Sequence, residues 1–112
     1  MSLFVTIKVL FMEYLVKALD KGKTRGYSEY IQIEEATYLF EDAIKKINGK
    51  YFVYIFFIDE SKMAVYEDYG NEEMTEFCSL EEAVDYLILK GADMQKMKGM
   101  KGITLFPFFD PN

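Results

Sequence analysis

The chain has no histidine and no tryptophan, one cysteine and only two prolines among its 112 residues. Histidine is the usual general base near neutral pH and the commonest metal ligand. Its absence therefore excludes His-dependent catalytic triads and zinc sites built from Cys and His. The single cysteine, Cys78, excludes an internal disulfide. No catalytic motif replaces these groups, so the sequence predicts neither an enzyme nor a bound cofactor or metal.

Acidic residues outnumber basic ones, with 19 Asp and Glu against 13 Lys and Arg, so the formal net charge is −6. Nucleic-acid backbones are bound through Lys and Arg against phosphate, so this balance argues against nucleic acid as a partner. Neither a secretory signal nor an uncharged apolar run of roughly 18 residues, the length of a spanning helix, is evident. We therefore expect a cytoplasmic protein that does not bind membranes.

Apolar residues, by contrast, are plentiful. Hydrophobic residues make up 51% of the chain and charged residues 29%, which is ordinary for a globular protein, while ten Phe and nine Tyr make it rich in aromatics. A chain of this length is typical of one domain with one core, here residues 1–112.

Hydrophobic periodicity and turn residues predict eight elements in the order α-β-α-β-β-β-α-β. The predicted helices are 4–20, 34–48 and 79–90, and the predicted strands are 29–33, 51–58, 63–69, 74–78 and 103–109. A capping box that starts at Ser79 opens the last helix. The expected class is α+β (α/β-like), with a single mixed sheet of about five strands and helices packed on at least one face.

Residues 51–58 read YFVYIFFI, an unbroken apolar run that is typical of a strand covered on both faces. We expect it to end a β-α-β unit and to pair antiparallel with 63–69 around Asp59–Lys62. Helices 34–48 and 79–90 then cover one face of the sheet. Either helix 4–20 or a second copy of the protein covers the other.

Acidic residues concentrate between Asp59 and Asp85, interleaved with tyrosines. This stretch is interpreted in three ways: a solvated hairpin edge that discourages aggregation, a surface for a basic protein partner, or a Ca²⁺ or Mg²⁺ site without a recognisable loop motif. The candidate protein-binding residues are Tyr66, Glu67, Asp68, Tyr69, Glu72 and Glu73.

Two functions follow from these features. The first is a non-catalytic acidic protein-binding module of the immunity, antagonist or accessory type. The alternative is a small-ligand-binding domain or minor enzyme whose pocket lies on the aromatic face of the sheet, lined by Tyr54, Phe56 and Tyr66. The strand–turn–helix cadence of FCSLEEAVDYLI, residues 77–88, is common in small bacterial domains but indicates no function.

The C-terminal segment ITLFPFF, residues 103–109, carries too much apolar surface for a free tail. A strand buries alternate side chains on one face only, so part of this surface needs a second cover. Two covers are expected: a second copy in a homodimer, with Phe106, Phe108 and Phe109 as candidate contacts, or helix 4–20 of the same chain.

Overall fold

The structure, a computed structural model, describes residues 3–65 and 71–99, and it describes side chains for residues 10–63 and 72–97. The two helices are α1 (Leu3–Asp20) and α2 (Leu80–Leu89). The strands are β1 (Arg25–Ile33), β2 (Ala36–Ile47), β3 (Lys50–Asp59), β4 (Asn71–Phe77) and the two-residue β5 (Lys98–Gly99). Short 3-10 helices span Glu60–Val65 and Met94–Lys96. The class is α+β, as predicted.

The strands form one sheet in the order β4-β3-β2-β1-β5, and every described pairing is antiparallel. The predicted mixed sheet is therefore wrong for the described strands, as are the parallel β-α-β unit that ends at 51–58 and the predicted element order. The main reason is the segment 34–48, predicted as a helix, which is strand β2.

Two tight turns make this segment a strand. Ile33 pairs with Ala36 and Ile47 pairs with Lys50, so each connection has two residues. Asn48 and Gly49 have φ of 52° and 81°, the left-handed pair of a type I′ hairpin turn. Asn-Gly is thus a hairpin signal here and not the stop of a helix. In the turn between β1 and β2, Glu34 has a φ of 57°. Glutamate rarely adopts a positive φ, so the residue type does not predict this turn.

The helical pattern in β2 arises because this strand is buried on both faces. Residues 39–44 are all buried, so the alternation of apolar and polar residues that marks a half-buried strand is absent. Leu39 and Ala43 face one side and Phe40 and Ile44 the other. The same spacing would also place these residues along one side of a helix.

Both helices pack on the same side of the sheet, which we call the helix-covered face. The strand residues buried there are Tyr27, Phe40, Ile44, Val53 and Ile55. Leu15 and Leu19 of α1 and Ala83, Val84 and Leu87 of α2 complete this cluster.

The other side of the sheet, which we call the opposite face, holds a second cluster made of Leu39, Ala43, Tyr54, Phe56 and Ile58. Strand β3 is therefore buried on both faces, as its composition predicts. Helix α1 does not provide the second cover, however, because it packs beside α2. Among the described residues, Phe52 and Met63 pack against the second cluster.

The predicted hairpin between 51–58 and 63–69 is also wrong. Strand β3 pairs with β2 and β4, and Glu60–Val65 is a 3-10 helix. The side chain of Asp59 accepts hydrogen bonds from the Ser61 N–H at 2.9 Å and from its hydroxyl at 2.8 Å. This Asx-type capping begins a helical turn where a hairpin turn was expected.

Five predicted elements are confirmed: the helix at 4–20, the strands at 29–33, 51–58 and 74–78, and the helix that Ser79 caps. The Ser79 hydroxyl accepts from the Glu82 N–H at 3.2 Å, and Gly91, at φ 100°, follows the helix end. Within residues 3–65 and 71–99, neither helix has both the length and the apolarity needed to cross a membrane. The predicted strand at 103–109 lies outside the described residues.

Candidate functional site: a groove on the helix-covered face

The predicted acidic surface is divided by the sheet. Tyr66, Glu67, Asp68 and Tyr69 lie outside the described residues, and Glu72 and Glu73 are consecutive residues of β4. Consecutive strand residues point to opposite faces, so these two carboxylates do not share a surface. Glu72 and Glu73 stay candidate protein contacts, each on its own face of the sheet.

Each of the two carboxylates has its own tyrosine. Glu72 lies on the opposite face, where its Oε2 accepts a hydrogen bond from the Tyr54 hydroxyl at 2.5 Å. Glu73 lies on the helix-covered face, where its Oε1 accepts a short hydrogen bond from the Tyr86 hydroxyl of α2. The Tyr86 ring also packs on Phe77, with the ring centroids 5.2 Å apart, which holds α2 against β4.

Beside Glu73, a groove with a volume of about 280 Å³ lies between the middle of the sheet and the C-terminal end of α2. It is lined by Ile31, Phe40, Ile55, Phe57, Glu73, Lys90 and Gly91. Strand pairing brings the walls together, since Phe40 lies directly opposite Phe57 and Ile55 directly opposite Glu73. The lining of the groove is thus mostly apolar and partly aromatic, and its two charged side chains, Glu73 and Lys90, lie at one end.

The charged end of the groove is a three-residue arrangement. The Lys90 ammonium lies 3.7 Å from Glu73 Oε1 and 5.4 Å from the centroid of the Tyr86 ring. The Lys90 and Glu73 side chains are 40% and 32% exposed, so both charges face solvent as well as the groove. A partly exposed pair at this distance contributes little to folding stability, and its groups can be redirected toward a bound molecule.

The end of α2 adds a partial negative charge at the same place. The N–H groups of Gly91 and Ala92 donate to the carbonyls of Ile88 and Leu87 at 3.0 Å and 2.9 Å. The C-terminal end of a helix dipole favours a cation, which is where Lys90 lies.

A buried carboxyl, that of Asp42, lies in the cross-strand row that also contains Ile55 and Glu73. Asp42 is 0% exposed and lies between its cross-strand partners Tyr27 and Ile55 on the helix-covered face. Neither carboxyl oxygen makes a hydrogen bond of normal geometry among the described residues, and the nearby N–H and hydroxyl of Tyr27 offset its desolvation only in part. Burial raises the pKa of Asp42 to about 8, so the group is mostly protonated at neutral pH. Asp42 does not line the groove itself.

On the opposite face, Tyr54 and Phe56 are both 0% exposed. The pocket lined by Tyr54, Phe56 and Tyr66 stays a prediction. Tyr66 lies outside the described residues. Glu41, on this face, is buried with one unpartnered oxygen, and burial raises its pKa.

Other chemistry is sparse in the described part of the chain. Cys78 is exposed and makes no disulfide. Within residues 3–65 and 71–99, no group of three or more acidic or cysteine side chains is placed to hold a metal ion.

Sequence reasoning missed the groove because its walls come from elements that are distant along the chain. The signal available was the alternation of β4, which the prediction began at residue 74 and so left Glu72 and Glu73 outside the strand. No family model, no curated protein and no solved structure matches this chain.

Proposed function

We propose that this chain is a non-catalytic domain that binds a small, predominantly apolar molecule in the groove on the helix-covered face. The observation that carries the proposal is the groove itself, with Ile31, Phe40, Ile55 and Phe57 around an open volume of about 280 Å³. Small-molecule sites are typically concave and mostly apolar, with a few polar groups that fix orientation. Glu73 and Lys90 supply such groups here.

The volume restricts the ligand to a small molecule. Sites for drug-sized ligands typically have volumes of roughly 300–1,000 Å³, and this groove lies just below that range. A single ring or a short branched chain with one polar end suits this space. The affinity expected for so few contact atoms is modest, with a Kd on the order of 0.1–1 mM.

The acidic protein-binding module stays a prediction. Four of its six residues lie outside the described part, and Glu72 and Glu73 are engaged on different faces. The described geometry therefore favours the groove over that surface.

Indole is a suitable first probe because it is a small aromatic molecule without a formal charge. Isothermal titration calorimetry of the intact chain with indole should give saturable binding. A thermal melt at millimolar indole should show a higher Tm, since a ligand that binds only the folded state stabilises it. Ile31→Trp fills the groove and should weaken indole binding at least about tenfold.

The matched control is Tyr30→Trp, on the neighbouring residue of β1. Tyr30 faces the other side of the sheet and is 65% exposed, so this variant adds an indole ring without entering the groove. It should bind indole as the unmodified chain does. Absence of saturable binding, or equal binding by Ile31→Trp and the unmodified chain, would overturn the proposal.

A further inference from the structure

We infer that the groove selects a zwitterion, an α-amino acid with an apolar or aromatic side chain, whose ammonium binds at Glu73 and whose carboxylate binds at Lys90. This inference rests on the proposed function, because it assumes that the groove is a ligand site. It adds the chemical class of the ligand and assigns each rim charge a role.

Glu73 is arranged to accept a cation. Its Oε1 already accepts from the Tyr86 hydroxyl, which fixes the carboxylate at the edge of the groove. An ammonium at this position meets a carboxylate that a tyrosine orients.

Lys90 is arranged to bind an anion. Its ammonium carries three donors, and its contact with Glu73 is 3.7 Å long, beyond a good charge-assisted hydrogen bond. A ligand carboxylate beside Lys90 gains a shorter contact than Glu73 now makes. The face of the Tyr86 ring, 5.4 Å away, keeps the ammonium near the rim.

The pair together favours a neutral ligand that carries both charges. One carboxylate and one ammonium leave the rim with no net charge, so a pure acid also meets Glu73 and a pure amine also meets Lys90. A like charge close by is unfavourable, whereas a zwitterion matches both groups at once. The apolar side chain of the amino acid then lies against Phe40 and Phe57, which are cross-strand partners on the floor of the groove.

The direct test compares three probes with the same phenyl ring. These are L-phenylalanine, 3-phenylpropionate without the amine, and phenethylamine without the carboxylate, each titrated into the intact chain by calorimetry at pH 7. L-phenylalanine should bind about tenfold more tightly than either analogue, the effect of one charge-assisted hydrogen bond.

Two substitutions assign the charges. Glu73→Gln should reduce the advantage over 3-phenylpropionate to less than about threefold, and Lys90→Gln should do so for phenethylamine. Glu76→Gln is the control, because Glu76 is on the same strand and pairs with Lys50 at 3.0 Å on the opposite face. It should leave all three affinities unchanged.

The outcomes separate this inference from the proposed function. If indole and all three probes fail to bind, the groove is not a ligand site and both ideas are wrong. If the probes bind but L-phenylalanine has no advantage over the acid or the amine, the groove remains a ligand site and the zwitterion inference is wrong. An advantage that persists in both Glu73→Gln and Lys90→Gln also contradicts the inference.

Discussion

The two faces of the sheet are built from the same strands but differ in packing: one is closed, and the other contains an open groove. On the opposite face, Tyr54, Phe56 and Ile58 of β3 are at most 1% exposed. On the helix-covered face, Val53 is fully buried, but Phe57 is half-buried and lines an open groove. Neighbouring residues of one strand thus belong either to closed packing or to a site that a small molecule can reach.

The difference teaches that composition along a strand does not reveal which face carries a site. Phe56 and Phe57 are identical and adjacent, as are Glu72 and Glu73, yet one of each pair lines the groove and the other does not. Where α2 ends, at Leu89, its cover of the sheet stops, and Lys90 and Gly91 border the groove. The position of a helix end therefore decides which side chains stay accessible.

Asp42 gives the largest effect expected on the helix-covered face. Its pKa in the folded protein is about 8, against an ordinary 3.8, because it is desolvated. The folded state therefore holds this proton more tightly than the unfolded chain, and stability falls as pH rises from about 4 to about 8. The loss is on the order of 5 kcal/mol.

Asp42→Asn cannot ionise, so its free energy of unfolding should vary much less between pH 5 and 8 and exceed that of the unmodified chain at pH 8. Urea unfolding at several pH values measures this. Some slope should remain, because burial also raises the pKa of Glu41. Glu35→Gln, in the exposed β1–β2 turn, is the control and should not flatten the curve. An unchanged slope in Asp42→Asn would show that the carboxyl is not desolvated.

The next test truncates one of two adjacent phenylalanines. Phe56 is 0% exposed in the closed cluster of the opposite face, so Phe56→Ala should lower the free energy of unfolding by about 3–5 kcal/mol. Phe57 borders the groove and is half-buried, so Phe57→Ala should cost about half as much. Denaturant unfolding of the two variants compares the faces directly, and equal losses would contradict the contrast drawn between them.

Gly26 tests how closely β1 approaches β2. A Cβ at this position would lie 2.0 Å from the Asp42 carbonyl oxygen and 2.8 Å from the Ala43 Cα. Both are backbone atoms that cannot rotate away, so Gly26→Ala should lower stability by about 3 kcal/mol. Gly22→Ala is the control, because it meets open space and costs only the strain of φ 77°, about 1 kcal/mol. Thermal melts should rank the two in this order.

The smallest effect concerns the tyrosine–carboxylate contact of the opposite face. Tyr54→Phe removes the 2.5 Å hydrogen bond to Glu72 and should cost about 1 kcal/mol, since solvent can still reach the carboxylate. Tyr30→Phe, at an exposed position of β1, should cost nothing measurable. A decrease of 3 kcal/mol or more in the free energy of unfolding of Tyr54→Phe would contradict this, because it would mean that solvent does not reach the Glu72 carboxylate in the variant.

The parts of the fold that could be predicted are those with an unambiguous local signal. The capping box of Ser79 and Glu82 predicts the start of α2, and the length and aromatic content of YFVYIFFI predict β3. Strand β2 could not be predicted from periodicity because burial on both faces removes the alternation. The Asn48-Gly49 pair could have corrected the helix predicted at 34–48, since Asn-Gly is the strongest short-range signal for a hairpin turn between two strands.

The candidate site was less predictable than the fold. The contact between Glu73 and Lys90 joins a strand to a helix end, and it exists only once α2 packs on β4. Likewise, Ile31 meets Ile55 and Phe57 in the groove only because β1, β2 and β3 are consecutive antiparallel strands. Such a site depends on tertiary packing, which no local pattern encodes.

The most direct test of the groove as the ligand site is methyl NMR of the isoleucine side chains during a titration with indole. Ile31 and Ile55 line the groove, whereas Ile58 is 1% exposed in the closed cluster of the opposite face. We expect the Cδ1 resonances of Ile31 and Ile55 to shift progressively and saturate, while that of Ile58 stays in place. Shifts centred on Ile58, or none at Ile31 and Ile55 at saturating indole, would contradict the account.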